Sequence, residues 1–231
     1  MRNICIIPAR GGSKRILRKN IKEFLGKPII AYSIQAAIDS GLFDEVMVST
    51  DDLEITDIAK KYGAKVPFMR SKKNSDDFAT TFDVIEEVIN NYKELAVDFV
   101  NFCCIYSCAP FVTSEILLKT YAQLIEKKFD TVFPIIAYSF PIQRALRVDQ
   151  GKVSMILQNN LNVRSQDLEE SFHDAGQFYW CNVKQVLKSK KILTTNTGGI
   201  KISELEAQDI DNDTDWKLAE LKYKLKNEIS N

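Results

Sequence analysis

The chain has 231 residues, with 31 Lys and Arg against 31 Asp and Glu. That length suits one large α/β domain over residues 1–231, with 138–172 as an inserted arm. The balanced charge gives no global field for nucleic acid or an anionic membrane surface, and no apolar run approaches the roughly 20 residues needed to span a bilayer.

Residues 1–3 lead directly into the first apolar stretch with no signal peptide. Residues 4–7 read as a short strand that breaks into a loop rich in glycine and cations, Arg10-Gly11-Gly12-Ser13-Lys14-Arg15-Ile16-Leu17-Arg18-Lys19-Asn20. A helix over 28–40 is opened by Pro28 and stopped at Gly41. Residues 45–50 read as a strand, and Ser49-Thr50-Asp51-Asp52 caps a helix over 52–62. A short strand at 65–69 and a polar loop at 70–80 follow. An amphipathic helix then spans 81–95, with Glu86 and Glu87 facing solvent. Residues 98–106 are apolar nearly throughout, as in a buried parallel strand. Thr113 caps a helix to about residue 128, and 131–137 is again a strand. This alternation predicts a three-layer α/β sandwich.

After residue 137 the rhythm changes to short alternating pieces, 145–148 and 152–157, around turns at 149–151 and 158–160. These read as a β-rich arm. Strands at 177–183 and near 199–202, a short helix near 185–189 and a closing helix over 213–227 complete the chain. Five cysteines form an odd set without metal-ligand spacing. Cys5, Cys103, Cys104 and Cys181 lie in strand-like contexts as small hydrophobes, and Cys108 alone stands in a loop near a possible site. Reduced thiols imply a cytoplasmic protein, and nothing in the sequence pairs a Cys nucleophile with the single His173.

In open α/β sheets, ligands collect at the carboxyl ends of the strands. The basic loop occupies the first such end. Its glycines let backbone N–H groups approach oxygens, and Arg10, Lys14, Arg15, Arg18 and Lys19 suffice for more than one phosphate. The competing reading is a solvated basic turn. A dinucleotide fingerprint is absent, and Gly11-Gly12-Ser13-Lys14 lacks the upstream glycine of a Walker loop. Further candidates at strand ends are Asp51-Asp52, better read as a helix cap than a metal pair, Arg70, Thr80-Thr81 and Tyr106-Ser107-Cys108. Asp209 and Asp211, two apart on one side of an extended segment, either hold Mg²⁺ against a triphosphate or belong to a turn in which Asp211 or Asp213 caps the last helix. His173, beside Asp174 among aromatics, is either structural or a recognition group for a sugar or carboxylate.

Taken together, these residues resemble the CMP-sialic acid synthetase family of cytidylyltransferases. The likeness is carried by Ile7-Pro8-Ala9-Arg10-Gly11-Gly12-Ser13-Lys14, Lys19-Asn20-Ile21, Gly26-Lys27-Pro28, Val48-Ser49-Thr50-Asp51 and Asp209-Ile210-Asp211 with Asp215. It covers essentially the whole chain. Phe172-His173-Asp174-Ala175-Gly176-Gln177-Phe178-Tyr179-Trp180, with Arg15, is most similar to the pseudaminic acid branch. The resemblance implies a Rossmann-like three-layer α/β/α nucleotidyltransferase fold with a mostly parallel sheet and a small β-rich dimerisation arm. It further implies Mg²⁺-dependent transfer of CMP from CTP to a nonulosonic acid for surface glycan or flagellin glycosylation, by a homodimer. On the same basis Ala9, Arg10, Gly11, Gly12, Ser13, Lys14 and Lys19 would hold the triphosphate, and Asn20, Arg70, Thr80 and Thr81 the cytidine end. Asp209 and Asp211 would carry Mg²⁺. The sugar acid would lie towards Tyr106, Gln143, Arg144, Arg164, His173, Asp174, Gln177 and Tyr179. Leu17 and the Cys108-Ala109-Pro110-Phe111-Val112 run depart from the family pattern, which has Pro at the first position and an Arg in the second loop.

Overall fold

The computed structural model describes residues 2–229; Met1, Ser230 and Asn231, at the ends of the expected domain, lie outside the described residues. In chain order the elements are β1 (Asn3–Pro8), a hairpin of β2 (Glu23–Phe24) and β3 (Lys27–Pro28), α1 (Ile30–Ser40), β4 (Glu45–Ser49), α2 (Leu53–Lys61), α3 (Thr81–Glu94), β5 (Asn101–Ile105), α4 (Ser114–Glu126) and β6 (Thr131–Ala137). The arm follows as β7 (Leu146–Asp149) and β8 (Lys152–Met155), and the chain returns through β9 (Phe172–Asp174), β10 (Phe178–Asn182), α5 (Val183–Ser189), β11 (Thr197–Lys201) and α6 (Asp213–Ile229).

The central sheet runs β11-β6-β10-β5-β1-β4, with β9 paired to β6. β4, β1 and β5 are mutually parallel, β10 lies antiparallel between β5 and β6, and β11 is parallel to β6. Five strands therefore share one direction, and β10 and β9 oppose it. The sheet is mostly parallel, and its two reversed strands arise where the chain comes back from the arm.

Side-chain alternation along β1 builds the layers. Cys5 and Ile7 face one side, in a cluster with Ile30 and Ile34 of α1, Ile55 of α2 and Leu117 of α4. Ile4 and Ile6 face the other, with Ile85 and Val88 of α3 and Val186 of α5. This is the period-2 division expected of a strand covered on both faces. Trp180, wholly buried on β10, stacks on Phe43 with ring centroids 4.9 Å apart and meets Tyr121 at 4.7 Å. A third cluster lies beneath the basic loop. There Ile16, Phe24, Tyr32, Phe111, Ile210 and Trp216 join the loop, α1 and the base of α6.

Several expectations need correction. Helix α1 begins at Ile30, because Pro28 is spent in the β2–β3 hairpin, whose ladder pairs Glu23 with Pro28 and Phe24 with Lys27. The stretch 65–69 makes only an isolated bridge from Lys65 to Met47, so β4 is the sheet edge. Glu87 is not idle on a solvent face: its carboxylate accepts from Ser71 N at 2.8 Å and Ser71 Oγ at 2.6 Å, and also from Asn74 Nδ2, fastening the loop 71–74 to α3. The arm is present as the β7–β8 hairpin, turning at Gln150 and Gly151, both with positive φ. No helix among the described residues is long and apolar enough to cross a membrane.

Candidate active site

A cleft of about 590 Å³ opens at the carboxyl ends of β1 and β5. The basic loop forms one wall. It leaves β1 at Pro8, where Ala9 N donates to Ser49 O at 2.9 Å. Gly11 N then donates to Asp51 Oδ1 at 2.9 Å. A Cβ on Gly11 would lie 2.7 Å from Asp52 Oδ2, so only glycine lets the loop cross this close to α2. Gly12 has open space on its side-chain face. Arg10, Ser13, Lys14 and Lys19 all line the cleft.

Asp51 and Asp52 act structurally, as the sequence suggested. Asp52 caps α2 by accepting from Ile55 N at 3.0 Å and receives both Arg18 guanidinium nitrogens, at 2.5 and 2.9 Å. The Arg18 hydrogen bonds outweigh partial burial and hold the Asp52 carboxyl down at about 2. Its folded value lies below the roughly 3.9 of a free aspartate. The stability it contributes is therefore full above about pH 4 and lost as pH falls through about 2. Urea midpoints measured from pH 5 to pH 2 should fall less steeply for Asp52→Asn than for the parent, from a lower starting value at pH 5.

The opposite wall brings the cytidine-side candidates together. Asn20 is buried; its Nδ2 donates to Arg10 O at 2.8 Å, and its Oδ1 accepts from Ser107 Oγ at 2.8 Å. The side chain thus ties the basic loop to the end of β5. Arg70 is buried too: Nε donates to Ser49 Oγ at 3.0 Å and a terminal nitrogen donates to Ser49 O. Thr80 closes a capping box with Asp83 at the start of α3, so that helix N-terminus, with Thr81 beside it, borders the cleft. The Tyr106 and Tyr179 rings meet edge to face with centroids 5.8 Å apart, and the Tyr179 hydroxyl donates to the Asp174 carboxylate. Cys108 lines the cleft with its thiol pushed up by burial to about 11, which removes it as a nucleophile.

Asp209 and Asp211 reach the cleft beside the basic loop, where Lys19 Nζ donates to Ile210 O at 2.6 Å and Arg15 pairs with Asp211 at 2.8 Å. The capping alternative for Asp211 or Asp213 is overturned. Asn212 Oδ1 accepts from Thr214 N and Asp215 N, while Asp215 accepts from Asn212 N and Asp211 N, so those two residues form the cap. Partial burial and the neighbouring charge of Asp211 push the Asp209 carboxyl up. Two carboxylates that repel each other beside a basic loop suit a hard divalent cation, which would relieve the repulsion. The described residues hold no group of three or more His, Cys, Asp or Glu arranged for a metal. Such an ion would take its other ligands from phosphate and water, as Mg²⁺ characteristically does.

The sugar-side candidates divide. Gly176, at φ +64°, packs against Asp209, 3.7 Å from its Cγ to an added Cβ, and breaks β9 from β10. Asp174 accepts from Gly176 N at 2.8 Å and fixes that turn. His173 and Asp174 border a second recess of about 330 Å³ that shares Asp209 with the main cleft. Gln177 is buried, with Nε2 donating to Glu206 O at 2.6 Å. Gln143, Arg144 and Arg164 lie on the arm and line neither recess. They are engaged with Glu169 O, Val163 O and Asp167 respectively.

The sequence reading passed over Asp77. Its carboxylate bridges the basic loop, receiving Arg10 at 2.7 Å and the Lys14 ammonium, and both cations hold it below the usual carboxylate range. The available signal was the adjacent Asp76-Asp77 pair at the tip of the 70–80 loop, in a chain whose first strand ends in a cationic loop.

A glycine-rich cationic loop beside a carboxylate pair, at the carboxyl end of a mostly parallel sheet, is the arrangement that a nucleotidyltransferase cleft calls for. Residues 4–203 match the family model described as Cytidylyltransferase, and the chain belongs to that family. It is 41% identical over 229 residues to a pseudaminic acid cytidylyltransferase of Campylobacter jejuni, covering 99% of each chain. A CMP-N,N'-diacetyllegionaminic acid synthase of Legionella pneumophila is 29% identical over 231 residues, again covering 99% of both. Among solved structures, a CMP:2-keto-3-deoxy-manno-octonic acid synthetase complexed with CTP matches 99% of this chain and 100% of its own, with a TM-score of 0.70 at 16% identity. A 4-diphosphocytidyl-2C-methyl-D-erythritol synthase from Anaerococcus prevotii follows at 0.64, with the same identity. These last two likenesses concern the fold alone.

Proposed function

We propose that this chain transfers CMP from CTP to a nonulosonic acid, most closely pseudaminic acid, and releases pyrophosphate. The observation that carries the reading is the pairing of the Arg10–Lys19 loop with Asp209 and Asp211, which capping leaves unused. The full-length likeness to a pseudaminic acid cytidylyltransferase supports the acceptor. In the transfer, the anomeric hydroxyl of the sugar acid attacks the α-phosphorus of CTP and pyrophosphate departs in line. Arg10, Ser13, Lys14 and Lys19 hold the triphosphate, and the Lys14 and Lys19 ammonium groups neutralise charge gathering on the leaving oxygens. Asn20 fixes the loop that carries them, so the cations are presented in place. Mg²⁺ on Asp209 and Asp211 would supply Lewis-acid polarisation of the phosphate. The second recess, at His173 and Asp174, is the place we assign to the sugar acid.

We assign the protein to the cytoplasm on its five unbridged cysteines, four of them buried. We assign it a homodimeric state through the arm, where Leu146, Val148 and Val153 are 58%, 70% and 61% exposed on a two-stranded hairpin that cannot bury them alone.

The test is pyrophosphate release from CTP and Mg²⁺ with pseudaminic, legionaminic and N-acetylneuraminic acids offered separately. Release with pseudaminic acid is the expected result. Release with another acid alone would keep the chemistry and move the acceptor. No release with any of them, from folded protein that binds CTP, would make the chain a nucleotide-binding module.

A further inference from the structure

The loop between α2 and α3 is fastened at both ends and held to the cleft in its middle. Glu87 grips Ser71 and Asn74 at one end, and the Thr80–Asp83 capping box fixes the other. Between them, Asp76 turns its carboxylate inward to accept from Phe78 N at 2.8 Å and Ala79 N at 2.9 Å. Asp77 does the opposite. One of its oxygens takes Arg10 at 2.7 Å, the other takes the Lys14 ammonium, and the same Arg10 nitrogen also donates to Asp76 O at 2.9 Å. The loop tip is thus attached to the cleft by ion pairs to the two cations nearest the glycines. Phe78, next in the chain, is 90% exposed and contributes no packing that would hold the tip there.

We propose that the Asp77 carboxylate is a stand-in for nucleotide phosphate on Arg10 and Lys14, so that CTP enters by exchanging ion-pair partners and sets the 75–79 loop tip free. This rests on the reading that the basic loop holds the triphosphate. The argument is one of valence and charge. A carboxylate offers two oxygens at a spacing close to that of two phosphate oxygens, and Asp77 uses both, one for each cation. Arg10 and Lys14 cannot keep those contacts while ligating phosphate in the same directions. The exchange lowers the affinity for phosphates below what the bare cations would give, and it does so for the phosphate part of the ligand alone. Asp77 therefore moderates the hold on CTP and on departing pyrophosphate, and is a positioning residue for the cations.

The test is calorimetric binding of CTP, inorganic pyrophosphate and cytidine to the full chain and to Asp77→Asn, Asp77→Glu and Lys14→Ala. Exposed ion pairs are individually weak, so Asp77→Asn should tighten CTP and pyrophosphate about 3- to 10-fold. Cytidine, which has no phosphate, should bind unchanged, and Asp77→Glu should return CTP towards the parent value. The gain should shrink as salt rises, because the displaced contacts are solvent-exposed. Unchanged or weaker CTP binding by Asp77→Asn, with Lys14→Ala binding lost, would overturn the stand-in and leave the phosphate assignment intact. Parent-like CTP binding by Lys14→Ala would remove the phosphate assignment, and the stand-in with it.

Discussion

Replacing Asp209 and Asp211 together with Ala is expected to lower kcat for pyrophosphate release by about 10³-fold or more while CTP binding survives. The size follows from removing the groups assigned to a cation that neutralises phosphate in the transition state, a contribution of several kcal/mol in metal-assisted transfers. CTP itself should bind the double variant without Mg²⁺ as well as the parent or better, because two negative charges leave a cleft that must accept phosphates. The fold should persist. Helix α6 keeps its start, since Asn212 and Asp215 supply the cap, and Ile210 still packs beside Ile16. Single-turnover kinetics with a Mg²⁺ titration separates the two effects: turnover that stays at the parent level removes the metal assignment, whatever happens to binding.

The largest expected effect on stability lies on β10. Trp180→Ala should cost about 3–5 kcal/mol, the range found when a wholly buried aromatic is truncated in a core that cannot collapse around the gap. Phe43 and Tyr121 pack on that indole from neighbouring elements, so the loss reaches the layer formed by α1, α2 and α4. Trp180→Phe is the informative companion. The indole Nε1 is buried without a hydrogen-bond partner among the described residues, so the parent already carries an unpaired donor. Phenylalanine loses some contact area and removes that donor, and the two changes oppose each other. It should cost well under half of the alanine loss. Urea unfolding reads both variants, and equal slopes with shifted midpoints would show that only the native packing has changed.

Much of this arrangement was readable in advance because it rests on local rules. The basic loop follows an apolar strand, Asp52 and Thr113 sit where helix caps belong, and the run 98–106 has the nearly continuous apolar character of a strand covered on both faces. Features that depend on partners distant in sequence were less accessible. The direction of β10 depends on the path by which the chain returns from the arm, and its own residues look alike in either direction. Glu87 looked like a solvent-facing helix residue because its partners, Ser71 and Asn74, lie one loop earlier. Asp77 gained a role only when folding set it across from Arg10 and Lys14, 67 and 63 residues away. The cap of α6, for which the sequence offered Asp211 or Asp213 as one of two open readings, falls on Asn212 for a subtler reason. Asp211, Asn212, Asp213 and Asp215 are all competent caps, and only the backbone path selects Asn212.

The stitching of the basic loop to the segment before α6 has a consequence for how the protein is made. Lys19 reaches Ile210 across a separation of 191 residues, with Arg15 to Asp211 and Lys22 to Asp213 alongside it. At about 5–20 residues per second, the ribosome needs roughly 10–40 s to travel from one side of that seam to the other. Through that interval the nascent chain carries its cations without the carboxylates that complete the cleft. On the roles proposed above, the half-made protein would present its phosphate-holding cations without Asp209 and Asp211, and competence would wait until the segment before α6 has been made and docked.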